Sequence, residues 1–434
     1  MVTIQASYNV TPNEVTPNGH LWLSDIDQTV RFNLHTPLIY IYKQNQNQNN
    51  KIIETLKNSL SKILVHYYPV AGRYSYTKGE AESSKSIHDY GDFAPSDSTK
   101  ELIPKVDYNK PIEEMPLFVV QLTRFRNNDE SFAIGIAYSH LLSDGVGCID
   151  FINSWAKIVQ KQGITTILKF SHTPIEPRFE HMELKPLPFI IGRSDDNAER
   201  KKKTTAELLK LTKEEVERLK KKANECDIPK GSRCYSRFEA ISAHIWKSAS
   251  KARKLEENQQ SVVRFNVEIR NRIIPNLPRN YYGNALIQTS TRGFIGEITS
   301  KPLSYVAQKI REANELITNE YIRSQIDVIR GFENLDDARK LFLVGGRDVT
   351  FSGNPNLHIT SWMTLPSYKA DFGWGKPMHF GIGYVSPNDR GLILLSPDED
   401  GSAIVCMHFQ VELMQLFKKF FYEDIYELFT SARL

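Results

Sequence analysis

Tyr138-Ser139-His140-Leu141-Leu142-Ser143-Asp144-Gly145 joins two different periodicities. Ser131 to Tyr138 is rich in β-branched and aromatic residues, the composition of a strand. After Asp144, Val146, Ile149, Ile152, Trp155, Ile158 and Val159 recur at helical spacing, with an end expected near Gly163. The octapeptide is therefore the loop of a strand–loop–helix unit, with His140 at the joint. Imidazole titrates near neutral pH, so a histidine delivered by a strand end is a candidate general base. Asp144 is an acid that can hold the loop, and Gly145 permits a tight turn.

The same reading extends in both directions. Val30 to Tyr42 reads as a strand around His35-Thr36-Pro37, and Lys51 to His66 as an amphipathic helix. Tyr67 to Arg73 turns the chain with Pro69 and Gly72. Phe118 to Phe125 is a strand that meets the 131–138 strand across Arg126-Asn127-Asn128-Asp129. From Thr173 to Arg200, four prolines (Pro174, Pro177, Pro186 and Pro188) break regular structure, which reads as a crossover linker. Arg200-Lys201-Lys202-Lys203 fits a solvated strand edge, or a basic patch that attracts phosphate.

Thr212 with Glu215 forms a capping box before a charged helix that runs to about Asn224. Ser236 to Arg253 reads as a helix, Val262 to Glu268 as a strand and Pro302 to about Gln325 as one long helix. His358 to Leu365, Gly391 to Leu395 and Ser402 to Gln410 read as strands, and Val411 to about Leu428 as a closing helix. Helices and strands alternate irregularly, so the fold class is α/β without strict βαβ rhythm. There is no internal repeat and no phosphate-binding glycine loop.

A chain of 434 residues exceeds one ordinary core, so two domains are expected. With 55 basic and 51 acidic residues, the net charge of +4 is too small to indicate nucleic acid. Cys148, Cys226, Cys234 and Cys406 are scattered and match neither a metal site nor a disulfide framework. The first residues, Met1-Val2-Thr3-Ile4-Gln5, lack a basic segment followed by an apolar one, and no apolar run is long enough to span a bilayer. A cytoplasmic protein without membrane association is the expectation.

A His-x-x-x-Asp pattern is loose, and its chemistry needs context. No Gly-x-Ser-x-Gly elbow supports a serine nucleophile, and no second histidine or cysteine pair supports a metal. Direct transfer fits better, in which a base removes a proton from a nucleophile that attacks an activated acyl group. Asp371-Phe372-Gly373-Trp374-Gly375 places two glycines around an indole. It reads as a buried aromatic in a tight turn, or as an N–H donor aimed at a developing oxyanion.

Together these segments resemble the BAHD family of plant acyl-CoA-dependent acyltransferases, over essentially the whole chain. Leu21-Trp22-Leu23-Ser24 with Asp27-Gln28, His35-Thr36-Pro37, Tyr67 to Arg73 and Tyr282-Gly283-Asn284 add to the two motifs. The resemblance implies two chloramphenicol acetyltransferase-like α/β domains, with a channel at their interface. The boundaries expected are 1–185 for the domain with His140, 186–228 for the crossover and following segment, and 229–434 for the domain with Trp374. It implies His140 as the base and Trp374 as the oxyanion donor. Asp144, Gly145, Asp371 and Gly373 are structural, with Arg270 or Arg272 pairing Asp144 although Glu268 replaces a usual aspartate nearby. Ser236 and Arg237 would line the CoA channel, with Lys201 to Lys203 near CoA phosphates. His35 and Tyr40 would line the substrate pocket. Acyl-CoA is then a cosubstrate of a monomer that needs no metal and no further cofactor.

For the acceptor, shikimate and quinate transferases carry arginine where Ser361-Trp362-Met363-Thr364-Leu365-Pro366 has Thr364. A missing cation argues against a carboxylate and permits a cationic acceptor. The wider text is similar to spermidine hydroxycinnamoyltransferases, including Gly353 to Leu357, Asn319 to Tyr321 and Asp398 to Ser402. The expectation is N-acylation of a polyamine by a hydroxycinnamoyl-CoA, with Asp327 and Glu320 as candidate carboxylates. The alternative is O-acylation of shikimate, quinate or another specialised alcohol.

Overall fold

Leu38 to Tyr42 and Phe132 to Tyr138 are buried at successive positions, so both faces of these strands are covered. In the computed structural model they lie side by side within a sheet. The structure describes the chain apart from residues 22, 32–33, 44–51, 73–77, 127–130, 163–168, 171–201, 226–232, 279, 337–338, 340–352, 385–388 and 427–434. The crossover linker, Lys201, Cys226 and the expected helix end near Gly163 therefore fall outside the described residues.

The strands are β1 (Val2–Tyr8), β2 (His35–Lys43), β3 (Lys78–Ser83), β4 (Phe118–Arg124), β5 (Ser131–Ser139), β6 (Lys169–Phe170) and β7 (Thr204–Leu211). They continue as β8 (Gln260–Glu268), β9 (Tyr281–Tyr282), β10 (Leu286–Phe294), β11 (Leu357–Ser361), β12 (His379–Ile382), β13 (Arg390–Leu395) and β14 (Ala403–Gln410). One sheet has the order β1-β3-β4-β5-β2-β12 and the other β10-β8-β11-β13-β14-β7, while β6 and β9 form a short parallel pair.

This topology corrects the expected boundaries. β12 comes from the C-terminal half yet pairs antiparallel with β2 of the first sheet. β7, expected in the crossover segment, pairs with β14 and forms an edge of the second sheet. In both places an exposed strand edge gains partners for its backbone N–H and C=O groups.

The main helices are α1 (Ile52–His66), α2 (Gly145–Val159), α3 (Lys213–Ala223), α4 (Arg237–Arg253), α5 (Leu303–Glu315), α6 (Asn319–Arg330) and α7 (Val411–Tyr426). The long helix expected from 302 to 325 is divided into α5 and α6. Thr318 caps α6 by accepting from the Tyr321 N–H, an alternative that threonine offers a backbone at a helix start. Val263, Phe265, Ile359, Ile393 and Val405 of the second sheet pack with residues of α3, α4, α5 and α7. Leu392, Leu394, Ile404 and Cys406, on its opposite face, join the cluster of α1, α2 and the first sheet. This second face is the inner one, turned toward the other half of the molecule. Among the described residues no helix is long and apolar enough to cross a membrane.

β5 runs so close to the segment behind it that a Cβ on Gly135 would stand 1.8 Å from the Leu102 carbonyl oxygen. Both groups are backbone-fixed, so overpacking cannot be relieved by a rotamer change. Gly135→Ala is expected to destabilise the protein by about 3 kcal/mol in urea unfolding. An unchanged midpoint would contradict this packing.

Candidate active site

β5 ends at Ser139, and the chain at His140 is pinned on both sides. The His140 N–H donates to the Leu34 carbonyl at 2.9 Å, and its own carbonyl accepts from Asn284 Nδ2 at 2.9 Å. Asn284 is in turn held by Asp27, whose Oδ1 accepts its backbone N–H and Nδ2, each at 2.7 Å. Burial pushes the Asp27 carboxyl up, against hydrogen bonds from Ser24 and Asn284 that pull it down, and burial prevails. His140 Nδ1 is enclosed without a hydrogen-bond partner, which leaves Nε2 as the nitrogen open to a substrate.

Asp144 does not orient the imidazole, because its oxygens are occupied elsewhere. It caps α2 by accepting from the N–H groups of Val146 and Gly147. It also accepts from Ala285 N–H and from Arg270 Nη1 and Nη2, at 3.0, 2.8 and 3.0 Å. Arg270 is thus the partner, whereas Arg272 donates to the Asn314 carbonyl and side chain. Glu268 does not disturb the pair: its Oε1 accepts from Arg270 Nη1 and the Arg270 N–H. Tyr138 joins the two halves a second way, by hydrogen bonds to Ser143 and Tyr282.

The oxyanion role expected of Trp374 does not fit its position. Its ring packs on Phe132 at 5.2 Å, Phe372 at 5.7 Å and Tyr42 at 6.0 Å. Phe132 precedes His140 by eight residues, about 26 Å of extended strand. Trp374 is therefore a core aromatic at the opposite end of β5. Asp371 shapes its turn by accepting from the N–H groups of Gly373 and Gly375, both at positive φ.

A different indole borders the His140 loop. Trp362 Nε1 lies 3.6 Å from where a Cβ on Gly145 would stand. Gly145 therefore makes room for Trp362 and Leu365; positive φ is not its role. Trp362, Asn284 and Asp27 are residues to which sequence reasoning assigned no function. Asp27-Gln28, Tyr282-Gly283-Asn284 and Ser361 to Pro366 were the signals available, each quoted without a role for these three residues.

The other expected residues divide. Tyr40 is fully buried, with its hydroxyl unpartnered and its ring 4.9 Å from Phe380, which also packs on Trp362. His35 has the opposite strand parity and so does not share that face. Its ring nitrogens bond Tyr108 and the Pro116 carbonyl, and burial lowers its pKa. Thr364 is exposed, at the turn closed by the Leu365 N–H on the Trp362 carbonyl. Both Asp327 oxygens are enclosed without partners, whereas Glu320 is on the exposed helix surface, where it accepts from Asn319. Ser236 is used as the cap of α4 with Glu239, and Arg237 pairs with Glu217, rather than either standing free for a ligand. Lys202 is paired with Glu412 at 2.7 Å. Among the described residues no group of three or more His, Cys, Asp or Glu side chains could hold a metal ion.

A protein-family model described as the transferase family matches residues 1–424. The hydroxycinnamoyl-CoA:piscidic acid hydroxycinnamoyltransferase of Actaea racemosa is 41% identical, over 98% of this chain and 100% of its own. The shikimate O-hydroxycinnamoyltransferase of Nicotiana tabacum is 34% identical, over 97% of this chain and 99% of its own. Among solved structures, vinorine synthase superposes with a TM-score of 0.71 at 19% identity, covering 96% of each chain. At that identity the likeness speaks to the fold alone.

Two substitutions test this geometry. Arg270→Met strands the Asp144 charge and should cost about 3–5 kcal/mol in chemical unfolding. Trp374→Phe should lower the melting temperature and leave kcat within about twofold, since the ring is core rather than catalytic. A folded Trp374→Phe enzyme with strongly reduced kcat would return the indole to the reaction.

Proposed function

This chain belongs to the BAHD acyl-CoA-dependent acyltransferases, and from that premise we propose that it moves a hydroxycinnamoyl group from CoA to a hydroxyl of a carboxylated small molecule. The observation that carries the reaction is His140, which is fixed through its backbone and presents Nε2 with no internal acid occupying it. Nε2 accepts the acceptor's hydroxyl proton as the oxygen attacks the thioester carbonyl. The tetrahedral oxyanion collapses, the carbon–sulfur bond breaks, and the imidazolium returns the proton to the CoA sulfur. The Trp362 N–H, beside Gly145, is the candidate donor to that oxyanion.

The acceptor reading departs from a polyamine. Its main argument was the missing arginine at Thr364, and that side chain is exposed. The relatives' names support acids as acceptors, piscidic acid and shikimate, with O-transfer named for shikimate. One observation favours an amine as a second reading: the enclosed Asp327 carboxylate has no partner.

His140→Ala should abolish nearly all turnover while the melting curve is kept. Trp362→Phe should reduce kcat by about a hundredfold, more than it changes acceptor KM. Hydroxycinnamoyl-CoAs screened by mass spectrometry against shikimate, quinate, piscidic acid and spermidine should yield esters. Amide from spermidine with no ester from any acid would reverse the assignment.

A further inference from the structure

Both backbone bonds that fix His140 lead back to one stretch ahead of β2. The Leu34 carbonyl takes its N–H, and Asn284, which Asp27 holds, takes its carbonyl. This stretch is anchored on the second sheet's side of the molecule through a short helix, Asp25–Gln28. Ile26 is buried in the core that the second sheet shares with its helices. Asp25 pairs with Arg330 of α6 at 2.9 Å, and Arg339 Nε donates to the Gln28 carbonyl at 3.2 Å.

Asp27 and Asn284 are both buried, at 1% and 2% exposure. Asn284 Nδ2 donates to two acceptors, Asp27 Oδ1 at 2.7 Å and the His140 carbonyl at 2.9 Å. Asn284 Oδ1 is enclosed without a hydrogen-bond partner. A flipped amide would set that oxygen against a carboxylate and a carbonyl, neither of which can donate. The Asp27 carboxylate, which also accepts the Asn284 N–H, therefore selects the amide orientation that serves His140. Its other oxygen, Oδ2, accepts from the Ser24 N–H at 3.2 Å and from Ser24 Oγ at 2.6 Å. The carboxylate cannot turn away from Asn284 without giving up those bonds, and buried donors left unpaired are costly.

We propose that Asp27 is a positioning residue for the base, acting through Asn284. The carboxylate sets the amide, the amide holds the His140 carbonyl, and the carbonyl fixes the peptide plane from which the imidazole projects. Without Asp27 the amide is free to rotate, and its oxygen gains by turning to any donor at the expense of the His140 bond. Displacing a reacting group by about 1 Å costs on the order of a hundredfold in rate, even when the altered residue is remote from the chemistry. The inference rests on the reading of His140 as the base, and it is independent of which acceptor is used.

The test uses Asp27→Ala, Asp27→Asn, Asn284→Ala and the Asp27→Ala/Asn284→Ala double variant in the full chain. Turnover is measured with coumaroyl-CoA and shikimate, and calorimetric binding of coumaroyl-CoA counts the folded sites. Asp27→Ala and Asn284→Ala should each lower kcat roughly tenfold to a hundredfold, with the acyl-CoA KM within about twofold of wild type. Asp27→Asn keeps an oxygen for Asn284 and should regain most of the lost kcat. The double variant should be no slower than the slower single one, because both changes interrupt one chain of contacts. Losses that multiply would overturn the proposal, as would a change confined to KM. A second readout needs no turnover. Hydrogen exchange at residues 139–142 should quicken in both single-site alanine variants while the middle of β5 stays protected. Unchanged exchange there would also overturn the proposal. His140→Ala, run alongside, separates the two readings. Full turnover in that variant sinks the base and with it the positioning role, whereas a dead His140→Ala beside fully active Asp27→Ala and Asn284→Ala sinks the positioning role and keeps the base. If Asp27→Ala fails to fold, Asp27→Ser, whose hydroxyl is too short to reach Asn284, takes its place.

Discussion

Five N–H donors converge on the Asp144 carboxylate, and the arrangement of the two halves around the site depends on it. Two donors belong to the first turn of α2, and three to residues that follow β8 and β9. A buried carboxylate is costly alone, but one saturated with donors and paired to a guanidinium is stable and geometrically specific. The same group thus starts a helix and joins a strand–loop–helix unit to the second sheet. The octapeptide's aspartate is a fastening, which releases His140 from any charge relay.

That release has a chemical consequence. His140 is positioned by its main chain, through Leu34 and Asn284, rather than by an acid on its ring. In the proposed transfer the base is transient, since the proton would leave with the CoA sulfur in the same turnover.

Two charged features lie away from the His140 loop. Asp327 has an enclosed carboxylate on α6, whereas strand register sets Arg264, His358 and Arg390 side by side on the inner face of the second sheet. The cationic row is the more extensive of the two and shares a face with Trp362.

Local signals were legible in the chain. The passage from strand to helix around His140, the capping box at Thr212 and the apolar stripes of α1 and α2 all follow from neighbouring residues, and all appear as expected. So does the pairing of Asp144 with an arginine near position 270, through resemblance. Misplaced were features set by contacts distant in sequence. Trp374 looked like a donor because its motif is distinctive, yet only the stacking on Phe132 and Tyr42 reveals it as core. β12 joins the first sheet because β2 has an edge to cover, which no local pattern announces. Arg264, His358 and Arg390 are single basic residues in three separate strands, and strand register alone brings them into one row. The sequence by itself determined most of the elements and the strand–loop–helix setting of His140, because backbone propensity and periodicity act over a few residues. Only the tertiary structure decided which indole borders the base and which charges meet, because side chains far apart along the chain become neighbours only when the strands pair.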